Sequence, residues 1–364
     1  MSAYEYTKKE ALALMTRPGQ YHKWCYENGV AVRGLWLAAE KTGDDTIKDR
    51  VVNFTNTWVM KNGLIPTYPA ETYNLDMLCY GFSLFDLYDY TKDERYLTAA
   101  KTLLKQVEGQ PTTPEGGFWH KQIYPNQMWL DGIYMGCPFI ARCAERFEKP
   151  ELFDLVVKQM TLCYEKTFDA ETGLCRHAWD SSREQHWSDP ETGRSPHVWG
   201  RAMGWFIVAH AEVLAILPKD HPGRKAIEDQ MRVLADGLMK WQRNGLWYQV
   251  ITMPEGEGNY TESSCSAMFA YGLYKGAEEG VLSAEVKKCA EKALDELLKQ
   301  KVGTGVDDLP VLHDVCRVAG LGGAPYGDAK YRDGSYNYYI HEVICDDDYK
   351  GTAPFLMALA AQGK

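Results

Sequence analysis

Paired-cysteine motifs, metal-binding histidine motifs, basic tracts and long apolar runs are all missing from this 364-residue chain, and each absence removes a class of function. Ten cysteines are scattered from Cys25 to Cys345 without one C-x-x-C pair, a pattern of buried reduced thiols rather than a disulfide framework or a zinc site. The nine histidines form no H-E-x-x-H and no close pair, so neither a metal nor another cofactor is expected. The formal net charge is −10 with no Lys/Arg tract, which argues against nucleic acid or an anionic membrane as partner. An anionic small ligand would need local cations to hold it against that field. No apolar stretch is long enough to span a bilayer, and the start, MSAYEYTKKEALALM, reads as an amphipathic helix rather than a secretory signal, so a cytoplasmic protein is expected. G-x-S-x-G, Walker and dinucleotide fingerprints are absent too, which leaves acyl, phosphoryl and hydride transfer without their usual signatures.

What is present is helical periodicity. Hydrophobic residues make up 45% and charged residues 25%, enough apolar material for a sizeable core. Leu97, Ala100, Leu104 and Val107 form one apolar stripe, with Lys101, Lys105 and Glu108 opposite, and Thr91-Lys92-Asp93-Glu94 before them has the form of a capping box. An apolar helix, a short polar turn and a more charged helix recur around EKTGDD (40–45), YTKDE (90–94), FEKPE (147–151), LPKDHPG (217–223) and AEEGVLSAE (277–285). About twelve helices paired as hairpins are predicted, closed into a ring with apolar helices inside and charged ones outside. No linker divides the chain, so residues 1–364 are read as one all-α domain. Segments 167–196, 244–260 and 302–347 lack helical period and precede apolar helices, so they should gather at the end of the ring where the inner helices start. Free N–H groups and the positive dipole end would favour a carboxylate there.

The segment GGFWHKQIYPNQMWLDGIYMGCP, Gly116 to Pro138, crowds aromatic rings with His120, Lys121 and Asp131 at a helix start, and Trp129 lies two residues before the aspartate. Rings offer flat apolar faces to a pyranose, and isolated polar groups orient it and do chemistry. The alternative is an aromatic helix start in which Asp131 merely caps amides. Asp76, in TYNLDMLCYG, stands near another inner-helix start, so it is either a second carboxylate in one cleft or a capping aspartate. VWGRAMGWF places Arg201 and Trp205 four apart on one helix face with Trp199 before them, and Gly200 and Gly204 allow close approach. That group is either a planar clamp for a carboxylate or ordinary packing. His177, in GLCRHAWDSS, is by itself weak evidence, since a loop histidine is usually a solvated side chain, but near Asp131 it would serve as a donor or water-positioning group. Tyr260, Glu262, Ser263, Asp347, Asp348 and Lys350 also fall at inner-helix starts and are read as rim or capping positions. Carboxylate chemistry on a carbohydrate is what these residues leave open.

The segments GGFWHKQIYPNQMWLDGIYMGCPF, NLDMLCYG, VWGRAMGWF, ESSCSAMFAYGL, DGSYNYY and DDDYKGTAPFLMA are spread over nearly the whole chain. In them the chain resembles the unsaturated rhamnogalacturonyl hydrolases, glycoside hydrolase family 105, and more distantly the unsaturated glucuronyl hydrolases. The resemblance implies an (α/α)6 barrel acting on the 4,5-unsaturated uronic acid that polysaccharide lyases leave at a non-reducing end. By the same resemblance Asp131 matches the acid/base of a W-x-D-G motif, Asp76 its partner carboxylate and His177 a loop histidine. Trp199, Arg201 and Trp205 match the group contacting the unsaturated sugar, and Lys121 a further ligand contact. Asp347 departs from the asparagine common in the family. The implied chemistry is protonation of C4 by Asp131, held protonated by the nearby charge of Asp76, followed by water addition at C5. The substrate would be a small anionic oligosaccharide from pectin, with a product of ulvan or glycosaminoglycan lyases as the alternative. Other readings are an inverting glycosidase or epimerase on the same barrel, or a carbohydrate-binding scaffold. Oligomeric state is left open.

Overall fold

The computed structural model describes residues 3–17, 21–322 and 332–363, so part of the 302–347 segment lies outside the described residues. The helical stripes become α1 (Ala3–Thr16), α2 (Tyr26–Thr42), α3 (Asp45–Thr55), α4 (Gly81–Thr91), α5 (Arg95–Gly109), α6 (Leu130–Arg146) and α7 (Glu151–Thr167). They continue as α8 (Gly200–Ile216), α9 (Arg224–Trp241), α10 (Ser263–Glu278), α11 (Ala284–Gln300), the short α12 (Tyr336–Ile340) and α13 (Tyr349–Gln362). Each of the five polar turns read from the sequence links a hairpin, from α2–α3 to α10–α11. In the first of them Gly43 takes φ 63° to end α2, and Asp44 accepts from the Thr46 N–H to start α3. The sixth hairpin pairs α13 with α1. Helices α2, α4, α6, α8, α10 and α13 pack side by side as an inner ring, giving an (α/α)6 barrel.

Composition decides which helix goes inside. In α8 every residue from Gly200 to Leu214 is buried, whereas α11 buries only the stripe Val286, Ala290, Ala293, Leu294 and Leu297. A continuous apolar core runs from Ala11 to Leu359. Gly200 and Gly204 do allow a close approach, and what approaches is α10: a Cβ on Gly204 would stand 2.6 Å from Met268 Sδ. Inside the ring, away from the loops, five inner helices share one mostly buried polar belt. Glu212 of α8 accepts from Arg33 of α2 at 2.9 Å and from Tyr271 of α10 at 2.6 Å. Asp86 of α4 lies 3.5 Å from Arg33 and 2.9 Å from Arg142 of α6.

One local expectation needs correction. Thr91 does not open a capping box. Lys92 adopts φ 58° and closes α4 onto Tyr88, so Thr91 is still helical, and Asp93 instead accepts from the Arg95 N–H at 3.0 Å. The absence of helical period in the mouth segments holds, and part of them is extended. Among the described residues eight short strands pair there, β1 (Gln127–Trp129), β2 (Phe168–Asp169), β3 (Leu174–Cys175), β4 (Ala178–Asp180), β5 (Val302–Thr304), β6 (Pro310–Leu312), β7 (Val315–Cys316) and β8 (Ile344–Cys345). Ladders this short leave no alternation to read in sequence. Among the described residues, no helix is long and apolar enough to cross a membrane.

Candidate active site

The inner helices all begin at one end of the barrel, and the links into α2, α4, α6 and α13 wall a cleft of about 320 Å³ there. A larger groove of about 430 Å³ runs between α1, α2 and α3, but no carboxylate lines it, so it lacks convergent acid–base groups. Antiparallel pairing builds the chemical corner of the cleft. β1 and β4 pair with Trp129 opposite Ala178, and the Leu130 N–H donates to the His177 carbonyl at 3.1 Å. That register sets His177 beside Asp131, the second residue of α6, with Nε2 3.2 Å from Oδ2. Apart from this contact, which is not aligned as a full hydrogen bond, both atoms are buried without a partner. Asp76 arrives from the link into α4, in a 3-10 turn (Leu75–Leu78) capped by Asn74.

Charges here are paired locally. Lys121 Nζ lies 2.6 Å from one oxygen of Asp76, and His120 Nε2 lies 3.4 Å from the other. Burial lowers the affinity of Lys121 for its proton, but Asp76 outweighs that and keeps the amine above its ordinary range. Burial pushes His120 down to about 4, so its ring is neutral near neutrality. Burial also works against ionised Asp131, yet the hydrogen-bonding and charge contributions of His177, with His120 behind, hold its carboxyl below the usual range. The expected like-charge hold of Asp76 on Asp131 is therefore not the dominant force, because Lys121 already meets the charge of Asp76. A third carboxyl at the cleft, Glu27, is raised by burial against the opposing pull of Lys350.

Of the nine residues singled out in sequence, Asp76, His120, Lys121, Trp129 and Asp131 line the cleft. Trp129 stacks with His120 at 4.8 Å and with Tyr124 at 4.9 Å, and those two rings lie parallel and only 6.3 Å apart, side by side rather than on opposite faces of the indole. The other four form a layer behind. His177 is fully buried against Trp199 at 4.7 Å, and Arg201 lies 5.7 Å from the Trp199 ring centre. Trp205 stacks on Tyr134 at 4.7 Å and meets the edge of Tyr26, which faces the cleft. Arg201 donates to the Cys316 carbonyl, while its Nε and Nη1 are buried without partners. Burial opposes its charge, but Glu262 more than restores it.

Two of the rim residues, Glu262 and Asp348, act as caps. Glu262 accepts from the Ser264 and Cys265 N–H groups to start α10, and Asp348 accepts from the Lys350 N–H to start α13. Asp347 anchors the mouth loop to α1, accepting from Leu312 N–H at 2.8 Å and Arg17 at 2.7 Å. Sequence reasoning missed Tyr124 and Tyr339. Tyr124 could have been found, since it stands in the same aromatic segment. Tyr339 could not, because only tertiary folding brings it to His177.

Gly132 shows how tight the corner is. A Cβ there would stand 2.8 Å from His120 Nδ1, and the ring cannot swing aside while stacked on Trp129. Gly132→Ala should therefore displace His120 and lower kcat by roughly ten- to a hundred-fold. Helix content, measured by circular dichroism, should stay unchanged because alanine favours the helix.

The chain matches Glycosyl Hydrolase Family 88 over residues 2–362. A solved glycoside hydrolase from family 105 of C. acetobutylicum is 38% identical, with a TM-score of 0.94 over 98% of this chain and 99% of that one. An Agrobacterium fabrum protein is 38% identical over 230 residues, 62% of this chain and 97% of its own. The unsaturated rhamnogalacturonyl hydrolase YesR of Bacillus subtilis is 28% identical over 260 residues, 69% of this chain and 70% of its own. Matched along almost its entire length, with a carboxylate–histidine corner at the mouth of the barrel, the chain belongs to the glycosidases of Glycosyl Hydrolase Family 88 and family 105.

Proposed function

We propose that the protein removes a 4,5-unsaturated galacturonic acid from the non-reducing end of short rhamnogalacturonan fragments by hydrating the C4=C5 enol ether. The observation that carries this reading is Asp131 at the cleft wall, with Oδ2 and His177 Nε2 buried and otherwise unpartnered beside a stack of aromatic rings. Similarity to the Bacillus subtilis relative supports the choice of substrate.

In the free enzyme Asp131 favours the carboxylate. An arriving uronate adds a like charge and raises the carboxyl, so the proton is taken up as substrate binds. Asp131 then delivers it to C4, leaving an oxocarbenium ion at C5. Water adds at C5 and gives a proton back to the Asp131 carboxylate. The resulting hemiketal opens to a 5-ketone, C1 becomes the hemiacetal of the aglycone, and its collapse expels rhamnose. Proton transfer and water addition balance without a cofactor. Because bond-making occurs at C5, carboxylate spacing rules for attack at C1 do not apply. Asp76 would hold Lys121 and His120 in place on the sugar, and Trp129 would offer its face to the ring. The unpaired Nε and Nη1 of Arg201 suit a uronate carboxylate, with Trp199 beside the guanidinium. All ten cysteines are free, in keeping with a one-domain cytoplasmic enzyme.

The test is a panel of lyase-generated disaccharides from rhamnogalacturonan, polygalacturonate, ulvan and glycosaminoglycans, followed by loss of enol-ether absorbance. Fastest consumption of the rhamnogalacturonan product is expected. A preference for the ulvan or glycosaminoglycan product would replace the substrate assignment, and binding without consumption would make the protein a scaffold.

A further inference from the structure

Tyr339 takes no direct part in proton transfer to the sugar, yet its hydroxyl lies 2.7 Å from His177 Nδ1, on the far side of the ring from Asp131. The phenol is fully buried and held from two directions. Its ring lies parallel to Trp199 at 5.9 Å, and its carbonyl accepts from Gln249 Nε2 at 3.1 Å. Gln249 in turn accepts from Trp199 Nε1 at 3.1 Å, so tyrosine and tryptophan share one clamp.

With the imidazole uncharged, two proton arrangements fit these distances. In the first, Tyr339 donates to Nδ1 and the imidazole carries its hydrogen on Nε2, facing an Asp131 carboxylate. In the second, Nδ1–H donates to the phenol oxygen and bare Nε2 faces an Asp131 carboxyl. Among the described residues His177 is the one hydrogen-bond partner of the Tyr339 hydroxyl, so the second arrangement turns a buried O–H away from any acceptor. Leaving such a donor unpaired is costly, which favours the first.

We propose that Tyr339 is a positioning residue that donates to Nδ1 of His177 and thereby holds Nε2 as the N–H facing Asp131. This rests on the reading of Asp131 as the proton donor. Protonating Asp131 then either strips the Nε2–H bond of its charge assistance or makes the imidazole exchange its tautomer and Tyr339 lose its bond, so the phenol sets how readily the acid form appears. Other groups bear on the same corner. His120 and Lys121 face Asp131 from the link into α6, and Cys163 from α7. Cys316, Tyr338 and Asp333 bear on Tyr339 itself. None of these touches Nδ1, so the tautomer is decided by the phenol.

Two measurements on the full-length protein test this. Nitrogen NMR of wild-type His177 at pH 8 should show Nε2 protonated and Nδ1 bare; a proton on Nδ1 would overturn the proposal. In Tyr339→Phe neither tautomer gains a partner, so the bias toward the carboxylate disappears and Asp131 keeps its proton to higher pH. The limb along which kcat falls with rising pH should move up by about one unit, the size of one lost buried hydrogen bond. KM should stay within about twofold, because Tyr339 does not reach the substrate. A role in packing alone would lower stability without moving the limb, and an unmoved limb contradicts the proposal. If the variant does not fold, the wild-type tautomer decides. Asp131→Asn separates the two readings: retained turnover there refutes the proton donor, whereas a dead Asp131→Asn with an unmoved Tyr339→Phe limb refutes the tyrosine alone.

Discussion

Asp131→Asn is expected to lower kcat by at least about 10³-fold while leaving the protein folded, since one side chain serves as acid in the first half-reaction and base in the second. Asparagine has the same shape and can still meet His177, but it cannot deliver a proton to C4 or take one from water. The buried oxygen and the imidazole 3.2 Å away would remain in contact. KM should change little, because the contacts proposed to hold the uronate come from Arg201, Lys121 and Trp129. Steady-state loss of enol-ether absorbance measures both constants, and turnover within tenfold of wild type would remove Asp131 from the mechanism.

The second large effect concerns stability. Glu212→Ala should destabilise the barrel by about 3–5 kcal/mol, because it leaves the buried Arg33 guanidinium short of its main counter-charge and the Tyr271 hydroxyl without its acceptor. With about 2.1 cal/mol/K of unfolding entropy per residue, that corresponds to a Tm lower by roughly 4–7 °C. Asp86 stands 3.5 Å from Arg33 and also pairs with Arg142, so it cannot replace Glu212 fully. The double change Arg33→Met with Glu212→Leu removes both charges and should recover most of the loss, because the desolvation cost disappears with the pair. Calorimetry of the three proteins checks this. Equal losses in the single and double variants would mean that shape, not charge, is what the belt contributes.

The barrel was legible in the sequence because its determinants are local. Five polar turns and the contrast between helices such as α8 and α11 fix which helices pair and which face inward. Much of the site was legible for a related reason. Asp131, His120, Lys121 and Trp129 lie in one short segment, so folding cannot scatter them far. What could not be read depends on partners distant in the chain. His177 alone is an ordinary loop histidine, and its place beside Asp131 follows from a three-residue ladder too short to leave a pattern. Tyr339 reaches that histidine from 162 residues away. The polar belt draws one residue from each of five helices, and its four charged members each read singly as a surface charge. Asp347, a departure from family pattern in sequence, is explained by Arg17, which receives it across 330 residues.

The central claim is that hydrogen is added to C4 and water to C5, and proton NMR of a reaction run in heavy water tests it directly. The account predicts free rhamnose together with a 5-keto sugar carrying solvent deuterium at C4. Release of a uronic acid that still holds its double bond would contradict it, because cleavage would then have occurred at C1.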